Sequence, residues 1–297
     1  MTTLFCWGEL LLRLSPALEG QWIKNNNMPV YIGGAELNVA QALASWKQPV
    51  SYATALPENY LSKEIVNHIE GLHIDTSSII YSGNRIGTYY LPSGADLKNT
   101  GVIYDRAYSS FASLQPGTIN WRQILENKTW FHFSAISPAL NEDAATVCEE
   151  ALKVAEEMGL TISVDLNYRN KLWQYGKAPH TVMSRLLPYC NVVMGNIWAV
   201  EKLLGIPSPL QDSVGYSAEE LAEAAYLSMQ EVRKTFLKNK HFAFTYRLQD
   251  EYFAVIDNNV EQAVSMKYSI ADVLDRVGSG DCFMGGLIYG LTHNYAT

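Results

Sequence analysis

Asp275-Arg276-Val277-Gly278-Ser279-Gly280-Asp281-Cys282-Phe283-Met284-Gly285-Gly286-Leu287-Ile288-Tyr289-Gly290-Leu291 reads as a glycine-bearing loop that delivers an aspartate to the start of an apolar helix. Glycine allows a tight backbone path and the close approach of a ligand. The first turn of a helix leaves N–H groups without intrahelical partners. With the helix dipole these form an anion site, most often for phosphate. Gly278, Ser279 and Gly280 would supply that cradle, and Asp281 stands at its mouth. A carboxylate beside an anion hole suits a base that deprotonates a hydroxyl while the hole holds a phosphoryl group. The same residues also fit a plain turn with Asp281 as a helix cap. The stretch is neither a Walker loop nor a dinucleotide fingerprint, since no G-x-x-x-x-G-K-[ST] occurs and Phe283 occupies the third glycine position.

Working back from this helix, the chain alternates strands and helices. Residues 3–14 read as a buried strand running into an exposed one, with Gly8-Glu9 near the first strand's end. Residues 15–32 are irregular apart from a short strand at Tyr31-Ile32. Gly33-Gly34 then feeds a helix of small and apolar residues with Asn38 on its first turn. That pair fits either close helix packing or a backbone approaching a ligand. Residues 50–55 and 78–82 read as strands around a helix at about 60–70. Residues 84–106 alternate polar and apolar around a turn at Pro92-Ser93-Gly94, as a hairpin with one wet face does. Tyr89, Tyr90, Tyr104 and Arg106 lie on it, either as an ordinary aromatic cluster or as part of a lid.

From 129 onward come a strand at 129–135, a helix from about Asn141, a strand at 160–166, a short helix at 179–187 and the strand Asn191–Gly195. Asn196 opens another helix. Ser217-Ala218-Glu219-Glu220 has capping-box spacing and starts a helix to about 239, before strands at 241–246 and 252–256. This order predicts an α/β fold with a mostly parallel central sheet and helices on both faces. Ligands in such sheets sit beyond the carboxyl ends of the strands, where Gly8-Glu9 and Asp165-Asn167-Arg169 fall. No repeat or linker divides the chain. It reads as a single domain, 1–297, with lid segments at about 11–33 and 84–108.

Composition narrows the partners. Lys+Arg is 22 and Asp+Glu 30, a net charge of −8 that disfavours nonspecific nucleic-acid binding. Cys6, Cys148, Cys190 and Cys282 are scattered in apolar surroundings without a C-x-x-C pair, as expected of reduced core thiols in a cytoplasmic protein. No signal peptide and no membrane-spanning run is evident. An edge-exposed lid sheet is a place for self-association, so a homo-oligomer is expected.

The chain resembles the ribokinase-like (PfkB) family of sugar kinases over nearly its whole length. Gly33, Gly34 and Asn38 match the family's early glycine-glycine segment, and Asp275 to Asp281 match its late D-T-x-G-A-G-D segment. Within the family the similarity is greatest to the kinases of 2-keto-3-deoxygluconate. Gly8-Glu9 with Leu12–Pro16, Gly33–Glu36, Tyr104–Ala107, Asp165–Arg169 with Leu172-Trp173, and Arg276 carry it. The resemblance implies ATP with Mg²⁺, and an acidic sugar held by Gly33, Gly34, Asn38, Tyr89, Tyr104, Arg106 and Arg169. Arginine pairs with a carboxylate through parallel hydrogen bonds, as a sugar acid requires; the alternative is that each arginine pairs with a nearby aspartate, Arg106 in the neighbourhood of Asp105 for example. Asn196, Thr245, Arg247, Gly278 and Gly280 would meet the nucleotide. The reaction implied is transfer of the γ-phosphoryl to the sugar's 6-hydroxyl, giving 2-keto-3-deoxy-6-phosphogluconate, with Asp281 as base.

Three features depart from the family pattern. Asn196 is followed by Ala199 where N-x-x-E is usual, with Glu201 out of step by two. Thr245–Asp250 lacks the glycine of the usual nucleotide turn. The sequence reaches Thr297 soon after the last helix, where relatives usually continue toward the adenine. Two other readings are a fructokinase- or ribokinase-type enzyme, and a sugar-acid-binding protein that has lost kinase activity.

Overall fold

The computed structural model describes residues 3–16, 22–24, 26–92, 101–211, 215–236, 238, 241–248, 250–273 and 275–295. In chain order the first half holds β1 (Leu4–Trp7), β2 (Leu11–Leu14), β3 (Val30–Gly33), α1 (Ala35–Ser45), β4 (Val50–Ala53), β5 (Ala55–Leu56), α2 (Tyr60–Gly71), β6 (Ile80–Tyr81), β7 (Gly87–Tyr90), β8 (Ile103–Asp105) and α3 (Trp121–Ile124). The second half holds β9 (Trp130–Ser134), α4 (Glu142–Glu157), β10 (Thr161–Asp165), α5 (Pro179–Leu186), β11 (Val192–Gly195), α6 (Ile197–Leu204), α7 (Ala218–Thr235), β12 (His241–Arg247), β13 (Glu251–Asp257), β14 (Gln262–Val264), β15 (Tyr268–Ser269) and α8 (Ser279–Thr292).

The main sheet runs β4-β1-β9-β10-β11-β12-β13-β14, with β15 also on β13. From β4 to β12 every pairing is parallel; β13 reverses the direction. Strands covered on both faces must be apolar throughout, which is why Leu4-Phe5-Cys6-Trp7 and Val192-Val193-Met194 do not alternate. One face packs on α1, α2 and α8 through Leu37, Leu43, Ile65, Ile69, Met284 and Ile288. The other packs on α3 to α7 around Phe131, Phe133, Leu152, Met183, Val200 and Phe242. Each such side chain contributes about 1.5–3 kcal/mol by leaving water.

A second sheet, β3-β2-β7-β8, stands apart. It is mixed: β2 and β7 are parallel and the outer pairs antiparallel. The hairpin expected at 84–106 is therefore half of a four-stranded sheet, whose other half comes from residues 11–33. Ser93 and Gly94 of its expected turn lie outside the described residues. The single strand expected over 50–55 divides, because Thr54 leaves the main sheet and β5 pairs with β6 instead. Helix α7 stops at Thr235, short of 239, which lies outside the described residues. Asn141, Asn196 and Ser217 cap α4, α6 and α7 as read, each accepting a backbone N–H three residues on.

Three cysteines, Cys6, Cys148 and Cys190, are buried free thiols, whereas Cys282 is a free thiol on an exposed face of α8. The expectation of core surroundings for all four is corrected at this position. The apolar look of residues 282–291 comes from α8's inner stripe, and 282 lies off it. Among the described residues no helix is long and apolar enough to cross a membrane.

Candidate active site

The carboxyl ends of the parallel strands open into a cavity of about 490 Å³. The small sheet contributes Leu11, Tyr89, Tyr104 and Arg106. The start of α1 contributes Gly34 and Asn38; the segment after β10 contributes Asp165, Asn167 and Arg169. Asn196, Trp198 and Lys202 line it from α6 and its N-cap, Thr245 and Arg247 from β12, and Arg276 to Asp281 from the loop and first turn of α8. Of the residues assigned from the sequence to catalysis, sugar or nucleotide, only Gly33 is missing from this lining; Tyr90 and Gly8-Glu9, also singled out, do not line it either. Gly33 ends β3, one residue short of the cavity wall.

Two glycines are conformational requirements. Gly34 has φ 150°, and a Cβ there would stand 2.6 Å from the carbonyl oxygen of Glu9. Gly278 has φ 82° and forms the N-cap of α8. Asp281 is the third residue of α8 and makes no capping bond, so the plain-cap reading is not realised. The N–H groups of Gly280 and Asp281 have no acceptor among the described residues. They are free for an anion at the positive end of a 14-residue helix.

Helices α1 and α8 run side by side in the same direction. A Cβ on Gly285 would touch Ala42 Cβ at 3.0 Å, so small residues permit the approach. One turn earlier on each helix, Asn38 Nδ2 donates to Asp281 Oδ2 at 2.7 Å. Ser279 accepts from Arg247 Nη2 at 2.8 Å. The first turn of α8 thus touches both residues read as sugar contacts and residues read as nucleotide contacts.

Burial pushes the Asp281 carboxyl up to about 6, opposed by the Asn38 bond and the charge of Arg169. Asp165 is pushed up to about 8 by burial and then by Asp281, with Arg169 acting the other way. Glu36, buried behind the cavity, rises to about 7 through burial, though Ser134 donates to it from both N and Oγ. Beyond burial, the charge of Asp281 raises both Glu36 and Asp165, and Glu36 raises Asp165, so the three carboxyls do not ionise independently.

The cations divide into two kinds. Arg106 is buried and its Nε donates to Glu9 Oε2 at 2.7 Å; its Nη2 and Ser109 Oγ also bond this glutamate. The pairing partner is Glu9, while Asp105 pairs with Arg85. Arg106 also lines the cavity. Arg169 has no ion pair among the described residues, and its charge bears on Asp165 and Asp281. Lys202, unmarked by any sequence motif, lies on the cavity with its ammonium 3.8 Å from Glu201. It comes one turn after Ala199, where the family pattern has a glutamate. A signal was present in the spacing: positions 198, 199 and 202 share the face of α6 that Asn196 opens.

No set of three or more His, Cys, Asp and Glu side chains converges as a metal site among the described residues. Two carboxyls, Asp165 and Asp281, do line the cavity. That donor set suits a magnesium ion carried largely by phosphate and water, not one caged by protein.

The PfkB family carbohydrate kinase model matches residues 1–296. The 2-dehydro-3-deoxygalactonokinase of Haloferax volcanii is 28% identical over 286 residues, covering 96% of this chain and 83% of that protein. The crystal structure of 2-dehydro-3-deoxygluconokinase from Thermotoga maritima superposes with TM-score 0.87 at 34% identity, covering 99% of this chain and 89% of the other. A fructokinase from Xylella fastidiosa with bound ATP has TM-score 0.76 at 18% identity, covering 99% and 82%, a likeness of fold alone. With a matching family model over its whole described length and a ribokinase-like fold, the chain belongs to the PfkB family of carbohydrate kinases, phosphotransferases that use an alcohol group as acceptor.

Proposed function

We propose that this kinase transfers the γ-phosphoryl group of ATP, with Mg²⁺, to the 6-hydroxyl of 2-keto-3-deoxygluconate. The observation that carries the reading is Asp281, bonded to Asn38 at 2.7 Å and set on a cavity with free first-turn amides. Asp281 accepts the hydroxyl proton, and the oxygen attacks phosphorus. The amides of Gly280 and Asp281 receive the charge on the phosphoryl oxygens. Magnesium, when bound, neutralises phosphate charge. Arg169 pairs with the sugar's carboxylate, the remaining donors of Arg106 assist, and Tyr89 and Tyr104, with ring centroids 6.3 Å apart, flank it. Gly34 provides backbone approach with Gly33 behind it. Thr245, Arg247, Asn196 and Lys202 face the nucleotide's phosphates. Cationic side chains outnumber the carboxylates on this cavity, which suits two anionic substrates.

A galactonate-derived acid is the second reading, favoured by the Haloferax relative. A coupled ADP-release assay across sugar acids tests both. The proposal requires turnover of a 2-keto-3-deoxy sugar acid and little with fructose or ribose. Equal turnover of fructose sinks the acid specificity, and binding of both substrates without turnover marks a chain that has lost its kinase step. We further propose a single domain with the small sheet as its lid, acting in the cytoplasm as a homo-oligomer. Val30, Tyr31 and Ile103 on that sheet are exposed, which favours self-association, and light scattering measures it.

A further inference from the structure

We propose that Arg13 is a positioning residue for phosphoryl transfer, tying the small sheet to the loop that carries the phosphate-binding turn through its ion pair with Asp275. Arg13 lies on β2 and is 6% exposed. Its Nη1 donates to Asp275 Oδ2 at 2.8 Å. The other oxygen of Asp275 accepts from Val277 N at 2.9 Å. One carboxylate therefore holds the sheet with one oxygen and shapes the loop with the other. The turn at Gly278 and the free amides of α8 follow directly.

Two further contacts run in the same direction. Val277 packs against Leu91 and Val102 together with Tyr89 and Tyr104. Arg13 stands opposite Tyr89 in the β2–β7 register and lies over the Tyr31 ring at 5.5 Å. Arg13 itself does not line the cavity. Its Nε is buried without an acceptor among the described residues, so the compensation of this buried charge falls on Asp275. The sheet that presents Tyr89 and Tyr104 to the sugar thus sets the place of the amides that meet the phosphoryl group. A shift of about 1 Å in such a group costs on the order of a hundredfold in rate. The inference rests on the proposed division of the cavity into a sugar side and a phosphoryl side.

Arg13→Met, Asp275→Asn and the double variant test it. Asp275→Asn keeps an acceptor for Val277 and turns an amide toward Arg13, so it removes the ion pair at a half-exposed position. Each single change is expected to lower kcat about tenfold or more, with KM for either substrate moving less than about threefold. The double variant is expected to be no slower than the slower single one, because both remove one interaction. Arg13→Lys should restore part of the rate. Thermal melts confirm that each variant is folded at the assay temperature. A wild-type kcat for Asp275→Asn overturns the proposal, as does a double-variant loss equal to the product of the two single losses. The wild-type substrate panel is measured separately. Its failure removes the proposed sugar acid but leaves this comparison standing on any acceptor the enzyme turns over.

Discussion

Asn38 Nδ2 donates to Asp281 Oδ2 at 2.7 Å, joining residues 243 apart in the chain across the contact of α1 with α8. The bond stabilises the charged carboxylate that burial disfavours, and it leaves the second oxygen for the proton transfer proposed above. Replacing Asp281 by Asn should lower kcat about 10²- to 10⁴-fold, the usual span for a positioned base. Sugar-acid affinity measured by calorimetry should stay within a few-fold of wild type. Near-normal turnover would falsify the base assignment.

The pH profile follows from the same bond. As the proposed base, Asp281 must be a carboxylate to act, so kcat/KM should rise through an acid limb near pH 6. Asn38→Ala removes the stabilising donor and should move that limb to higher pH. A limb that moves down, or stays in place, contradicts the role given to Asn38.

Stability should depend on pH in the opposite sense. Glu36 has its pKa raised by burial from 4.5 to about 7. The folded state then binds more protons than the unfolded chain across this window. Its contribution is full below about pH 4.5 and is lost as pH rises through 7. Glu36→Gln keeps an acceptor for Ser134 N but cannot ionise. The fall in Tm between pH 5 and 8 should be shallower in this variant than in wild type, as calorimetry would record.

Arg106 and Arg169 should separate cleanly. Arg106→Ala leaves Glu9 buried and unpaired, and should cost about 3–5 kcal/mol in urea unfolding. Arg169→Met removes a cation with no ion pair among the described residues, so unfolding should change little. Its effect should appear as a rise in KM for the sugar acid of about 10- to 100-fold, the loss of a hydrogen bond to a charge. Unaltered KM in Arg169→Met would dismiss it as the carboxylate partner.

Gly8 is a space requirement. A Cβ there would lie 1.9 Å from Glu36 Oε2. Gly8→Ala should destabilise by about 1–3 kcal/mol or displace Glu36 from Ser134. Denaturant midpoints and the Glu36-dependent pH slope would report these two outcomes.

Much of this was legible in local pattern. The turn at Gly278 and the capping residues Asn141, Asn196 and Ser217 act through their own neighbours, so local pattern shows them. A helix terminus is built from consecutive residues, so its anion site can be read in order. The alternation of strands and helices likewise required the parallel sheet and placed the site at its carboxyl edge.

Partners were another matter. Arg106 chose Glu9, 97 residues away, over the adjacent Asp105, and Arg13 met Asp275 across 262 residues. Lys202 entered the site only because α6 turns that face inward. Cys282, equally apolar in context, points out. Charge pairing and desolvation depend on which strand ends converge, and sheet order decides that. The glycine turn and helix start on which the phosphoryl proposal rests were therefore legible in the chain by itself, while the raised pKa of Asp281 and the ion pairs of Arg106 and Arg13 were decided by tertiary packing, because burial and pairing depend on which distant segments meet.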